Sequence, residues 1–110
     1  SIMLTNLSEV HQKYLNSCGL SGRYILSTNQ VELCYGLTPR LVRKLVKERI
    51  LKPGKTKTGT WFSFPRRDIE TYLKSTDAPP EIERLEIAKL AIQKKIDQQN
   101  RSRYRGVSIF

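Results

Sequence analysis

Between Pro39 and Arg67 the chain carries Arg40, Arg43, Lys44, Lys47, Arg49, Lys52, Lys55, Lys57, Arg66 and Arg67 against a single acid, Glu48. The chain of 110 residues has 20 Lys and Arg, 10 Asp and Glu and a formal net charge of +10. Nearly all of the excess therefore sits in this one window, and the rest of the chain is close to balanced. Guanidinium and ammonium groups at such density suit the binding of a polyanion. Charge by itself does not distinguish DNA from RNA or from an anionic membrane. Other chemistries lack their residues. The cysteines Cys18 and Cys34 and the one histidine, His11, write no zinc-ligand pattern. The serines, cysteines and histidine form no recognisable nucleophile–base set, and the acids outside the window are scattered on helix faces. No enzymatic activity, metal, cofactor or small-molecule ligand is expected.

The composition, 38% hydrophobic and 27% charged, predicts a soluble globular chain with a modest core. No apolar run approaches the ~20 residues needed to span a bilayer. No basic segment precedes an apolar one at the start, so no secretory signal is expected. Two thiols do not make a secreted disulfide framework, and both are expected to be buried and reduced. His11 is expected at a helix surface or edge. These features together predict a cytoplasmic, nucleoid-associated protein.

Several elements must position the basic block. A first helix is expected over 6–18, with Thr5 or Asn6 as N-cap, Asn6 and Glu9 at capping-box spacing, and Gly19 ending it. Tyr24-Ile25-Leu26 reads as a short extended lead-in. A second helix opens at Ser27, whose spacing to Gln30 again fits a capping box, and stops at Gly36. Leu37 follows as an apolar plug. Thr38 as N-cap and Pro39 at the first helical position start a third helix, expected to reach Arg49. Two short helices around a tight glycine turn make a helix-turn-helix layout. In the third helix Leu41, Val42, Leu45 and Val46 form one apolar stripe, and Arg40, Arg43, Lys44 and Lys47 cover the other side.

Ile50-Leu51-Lys52 and Thr60-Trp61-Phe62-Ser63-Phe64 read as two strands of a hairpin whose tip carries Lys55 and Lys57. Trp61 and Phe62 could stack on bases but are expected to anchor that hairpin to the core. Pro65 precedes a fourth helix over 66–74, with Ile69, Tyr72 and Leu73 inward. A polar, proline-containing linker, 75–80, leads to a longer helix over 81–100 with Ile82, Leu85, Ala88, Ile92 and Ile96 on one stripe. Such a helix must bury itself against the body or a second subunit. A basic tail, Arg101 to Arg105, and a possible short strand, 107–110, close the sequence.

The stretch 25–74 resembles the MerR-type and phage-excisionase-type winged helix family. The resemblance is carried by Leu26-Ser27-Thr28-Asn29-Gln30-Val31-Glu32-Leu33, by Gly36-Leu37-Thr38-Pro39-Arg40-Leu41-Val42-Arg43-Lys44-Leu45, and by Leu51-Lys52-Pro53. It continues through Gly59-Thr60-Trp61-Phe62-Ser63-Phe64-Pro65 and Asp68-Ile69-Glu70-Thr71-Tyr72-Leu73. It implies a mainly α fold with a small β-hairpin wing: a winged helix-turn-helix head over 23–75, an N-terminal helical extension over 1–22, and a linker with a C-terminal helix over 76–110. It also implies that the 39–49 helix enters a DNA major groove while the wing touches the flanking backbone or minor groove. The expected DNA-binding residues are Thr38, Arg40, Arg43, Lys44, Lys47, Lys55, Lys57, Arg66 and Arg67. Arginine can bond guanine bidentately, whereas lysine contacts to phosphate position without specifying.

The sequence departs from effector-sensing MerR regulators, which carry a long coiled coil and a ligand or metal site after the head. Only about 30 residues follow the linker here, and neither cysteine lies among them, so effector sensing is not expected. The stripe Ile82, Leu85, Ala88, Ile92, Ile96 is read as a homodimer contact that would set two heads on half-sites about one DNA turn apart. The function expected is a dimeric, sequence-specific transcription regulator, acting as a repressor. The alternatives are an architectural protein of excisionase or packaging type and, in another class, an RNA-binding protein.

Overall fold

A computed structural model of the protein describes residues 7–54 and 62–105, with side chains as far as Arg101. The chain is mainly helical, with one two-stranded antiparallel sheet. In order the elements are α1 (Glu9–Ser17), a 3-10 turn (Leu20–Gly22), β1 (Ile25–Ser27), α2 (Thr28–Tyr35), α3 (Pro39–Lys47), β2 (Ser63–Pro65), α4 (Arg66–Leu73) and α5 (Glu81–Arg105).

Most helix boundaries follow from local chemistry. The Ser27 side chain accepts from the Gln30 amide and the Gln30 side chain accepts from the Ser27 amide, so the capping box is complete. Gly36 ends α2 in the left-handed region at φ 72°, a conformation open to glycine at little cost. Thr38 accepts from the Leu41 amide at 3.2 Å, and Pro39 takes the first helical position of α3. The N-cap of α1 differs from expectation. It is Ser8, whose hydroxyl accepts from the His11 amide, so the helix starts at Glu9; Asn6 lies outside the described residues.

The expected hairpin is corrected in its first strand. Helix α3 stops at Lys47, and Arg49 turns to a positive φ of 62°. The amides of Ile50 and Leu51 then both donate to the Leu45 carbonyl, at 2.9 and 3.2 Å. Those donors are spent on closing the helix, and Pro53 has none to offer, so 50–52 cannot form a ladder. The lead-in Ile25-Leu26-Ser27 pairs antiparallel with β2, with Leu26 opposite Phe64 and Ser27 opposite Ser63, along the edge of β2 away from Gly54. An isolated antiparallel bridge joins Gly54 to Ser63 on its other edge. Lys55, Lys57 and Trp61 lie outside the described residues. Phe62 is 40% exposed and meets Phe64 edge-on at 6.2 Å.

One core runs through all of these elements. Leu15 and Leu20 at the N-terminal end join Leu26, Val31, Tyr35, Leu37, Val42, Phe64 and Ile69, and Ala88 and Ile92 from α5 complete it. This decides the fate of the C-terminal helix: α5 lies on α2 and also touches α1. Of the five residues read as a dimer contact, Ala88 and Ile92 are fully buried within their own chain, Leu85 and Ile96 pack against the same core, and only Ile82 is exposed, at 77%. An amphipathic helix buries its stripe on the nearest apolar surface, and here α2 provides it. The stretch read as a linker is held as well. The carbonyls of Pro79 and Pro80 accept from the Arg84 side chain and amide, and Ala78 packs on the core.

Candidate nucleic-acid interface

Helix α3 separates its two faces cleanly. Val42 and Leu45 are buried, Leu41 and Val46 pack against the core, and Arg40, Arg43, Lys44 and Lys47 are exposed. An α-helix with its side chains is about 10–12 Å across, which matches the ~12 Å width of a B-DNA major groove. A shallow groove of about 530 Å³ runs along this face, lined by Thr38, Arg40, Leu41, Arg43, Lys44 and Lys47. The Arg43 Nε donates to the Pro39 carbonyl one turn back at 3.3 Å, which holds the start of its guanidinium along the helix axis. Thr38 is partly buried and its hydroxyl is engaged in the cap, so its part in this face is to fix where the helix begins.

The structure separates the remaining predicted cations. Arg67 is exposed on the first turn of α4. Arg66, read from the sequence as a DNA contact, is engaged within the chain. Its Nε donates to the Arg23 carbonyl at 2.8 Å, one terminal nitrogen donates to the Tyr35 hydroxyl at 2.7 Å, and the other bonds the Leu20 carbonyl. The guanidinium also stands 5.5 Å from the centre of the Tyr35 ring. With three of its five donors committed to internal acceptors, this guanidinium has fewer left for phosphate than those on α3.

Tyr35 is the centre of this arrangement, and sequence reasoning does not single it out. Its ring is fully buried, its hydroxyl donates to Glu70 Oε2 at 3.0 Å while accepting from Arg66, and its carbonyl accepts from Arg84 at 3.3 Å. Burial pushes the Tyr35 phenol up to about 12, with Arg66 pulling it back only in part. The residue thus ties α2, α4 and α5 together behind α3. No sequence signal marks it, because an aromatic at the end of an amphipathic helix reads as ordinary core. The cysteines divide: Cys34 is buried as expected, whereas Cys18 is exposed. His11 is partly buried on α1, its ring nitrogens 2.6 Å from Ser8 Oγ and 3.1 Å from Gln93 Oε1 of α5.

Among the described residues no cluster of three or more His, Cys, Asp and Glu could hold a metal, and no helix is long and apolar enough to cross a membrane. The chain matches no family model, no curated protein and no solved structure. The resemblance to MerR-type and excisionase-type winged helices therefore rests on the sequence segments that carry it, from Leu26 to Leu73.

Proposed function

We propose that the protein is a sequence-specific DNA-binding regulator whose α3 enters the major groove of duplex DNA, with the α2–turn–α3 unit and the loop closed by Gly54 and Ser63 forming a winged helix-turn-helix head. The observation that carries this proposal is the division of α3: a buried stripe fixes the helix, and Arg40, Arg43, Lys44 and Lys47 project together from its other side. Arg40 and Arg43 have the fork geometry to bond a guanine edge, and Lys44 and Lys47 supply point charges for the flanking phosphates. The deep, narrow major groove of A-form RNA would not admit such a helix, which places RNA behind DNA.

Repression by occupancy of a promoter needs no effector site. The stripe assigned to a homodimer is spent inside the chain, so the single chain is the proposed binding unit, and a two-fold operator is not required. This favours the architectural alternative more than the sequence alone does, since copies on adjacent sites could bind without a dimer seam.

Selection of bound fragments from a random duplex pool at physiological salt tests the proposal. An enriched motif that disappears for Arg43→Ala supports it. Absence of enrichment by the parent protein, or a motif unchanged by Arg43→Ala, overturns it.

A further inference from the structure

Helix α5 runs antiparallel to α2. Near its start, Arg84 meets the C-terminal end of α2, donating to the Tyr35 carbonyl. Further along, Lys94, Lys95 and Gln98 share a cleft of about 180 Å³ with Asn29 and Glu32 of α2. The C-terminal turns of α5 therefore extend past the N-terminus of α2. Ser27, which caps that terminus, is paired with Ser63, and Ser63 is bridged to Gly54. The C-terminal turns of α5 and the Gly54–Ser63 bridge thus lie toward the same end of α2.

Charge along α5 is strongly polarised. Its first eleven positions hold Glu81, Glu83 and Glu86 with Arg84 and Lys89, whereas from Ile92 onward there are Lys94, Lys95, Arg101, Arg103 and Arg105 with one acid, Asp97. Asp97 accepts from Gln93, and Glu32 is the one acid in the cleft facing both lysines. Cations near a helix C-terminus offset its dipole, but that effect is confined to the last turn, and Lys94 and Lys95 lie about three turns before Arg105. From Gln98 the helix sequence has no apolar stripe and continues about 10 Å to Arg105. A helix without such a stripe gains nothing by packing on the body.

We infer that the C-terminal half of α5, through Lys94, Lys95 and Arg101, is a second, sequence-independent contact for the phosphodiester backbone of duplex DNA. It is separate from the α3 face and adds to the footprint at the N-terminal end of α2. The inference rests on the DNA-binding proposal above. Contacts of this kind position a protein on the duplex without reading bases, so they appear in the salt dependence of binding and leave sequence preference unchanged.

The test compares the full chain with a variant carrying Lys94→Gln, Lys95→Gln and Arg101→Gln, and with a charge-matched control carrying Lys13→Gln, Arg23→Gln and Lys74→Gln. Circular dichroism confirms that all three are folded, and each is titrated against one duplex over a salt series. The α5 variant is expected to lower the slope of log affinity against log salt by about 2 to 3, with the same order of preference among duplexes, and the control to leave the slope near that of the parent. An α5 variant with the parent's slope and affinity overturns the inference, as does a control that lowers the slope equally. A parent that does not bind duplex at all instead overturns the DNA-binding proposal on which the inference stands.

Discussion

Gly36 sits directly against the backbone of Arg84: a Cβ built on Gly36 would stand 1.8 Å from the Arg84 carbonyl oxygen and 2.4 Å from its carbonyl carbon. The same glycine holds the left-handed end of α2 at φ 72°. One residue thus sets both the turn into α3 and the closeness with which α5 lies over it. Gly36→Ala should combine a left-handed penalty of about 1–2 kcal/mol with a clash that only a backbone shift can relieve. The expected result is a loss of at least about 2 kcal/mol in urea unfolding. Gly19 has a similar φ of 71° but nothing within 4 Å of its built Cβ, so Gly19→Ala should cost only the conformational part. Equal effects at the two positions would refute the close approach of α5.

Arg66→Gln separates fold from binding. The guanidinium bonds the Arg23 and Leu20 carbonyls and the Tyr35 hydroxyl, so its removal leaves partly buried acceptors unpaired. A cost of about 1–3 kcal/mol is expected, seen as a lower denaturation midpoint, because bonds to charged donors are among the stronger ones. Arg43→Ala, on an exposed face, should leave the midpoint nearly unchanged. Arg66→Gln as stable as the parent would return Arg66 to the surface.

Arg49 is held at a positive φ without being glycine. Replacing it with glycine removes a strain worth about 1–2 kcal/mol, partly offset by the greater freedom glycine has when unfolded. A net gain of about 1 kcal/mol in thermal or urea unfolding is expected. A loss would mean that the Arg49 side chain contributes more than its backbone costs.

Ionisation gives a check independent of DNA. Burial pushes Tyr35 up from 10.0 to about 12, and Tyr14 likewise through burial and then its hydrogen bond with Cys18. Because the folded phenols hold their protons more tightly than the unfolded ones, they leave stability untouched below pH 10. They lower it as pH rises from 10 toward 12. Tyr72 is also raised, chiefly by burial, so tyrosinate absorbance should show several late-ionising groups, with one fewer in Tyr35→Phe. Among the thiols, exposed Cys18 should react with a thiol reagent in the native protein, and Cys34, raised chiefly by burial, only after unfolding.

Signals confined to one turn of chain are legible in the sequence itself. Ser27 with Gln30, Gly36, and Thr38 with Pro39 each fix a helix end through neighbours three or fewer residues away, and the division of α3 follows from its 3.6-residue period. Pairing across the chain is not legible in this way. That Ile50–Lys52 adds no strand to β2 turns on where the amides of Ile50 and Leu51 are spent, and so on the left-handed Arg49, while the pairing of β2 with Ile25–Ser27 joins segments far apart in the chain. The role of Arg66 depends on three partners far away in sequence, and a basic neighbour of Arg67 looks like surface until those partners are placed. The stripe on α5 correctly announces burial, but its pattern is the same for a partner helix in the same chain and in another copy.

The most direct measurement of the central claim is duplex binding by the parent and by a variant with Arg40, Arg43, Lys44 and Lys47 all changed to Gln, over a salt series, with unfolding followed in parallel. A folded variant that has lost sequence preference and whose salt slope is lower by about 2, for the two lysine–phosphate contacts, is the predicted result. A folded variant that binds duplex with the parent's affinity, preference and slope would contradict the assignment of α3 as the DNA-reading helix.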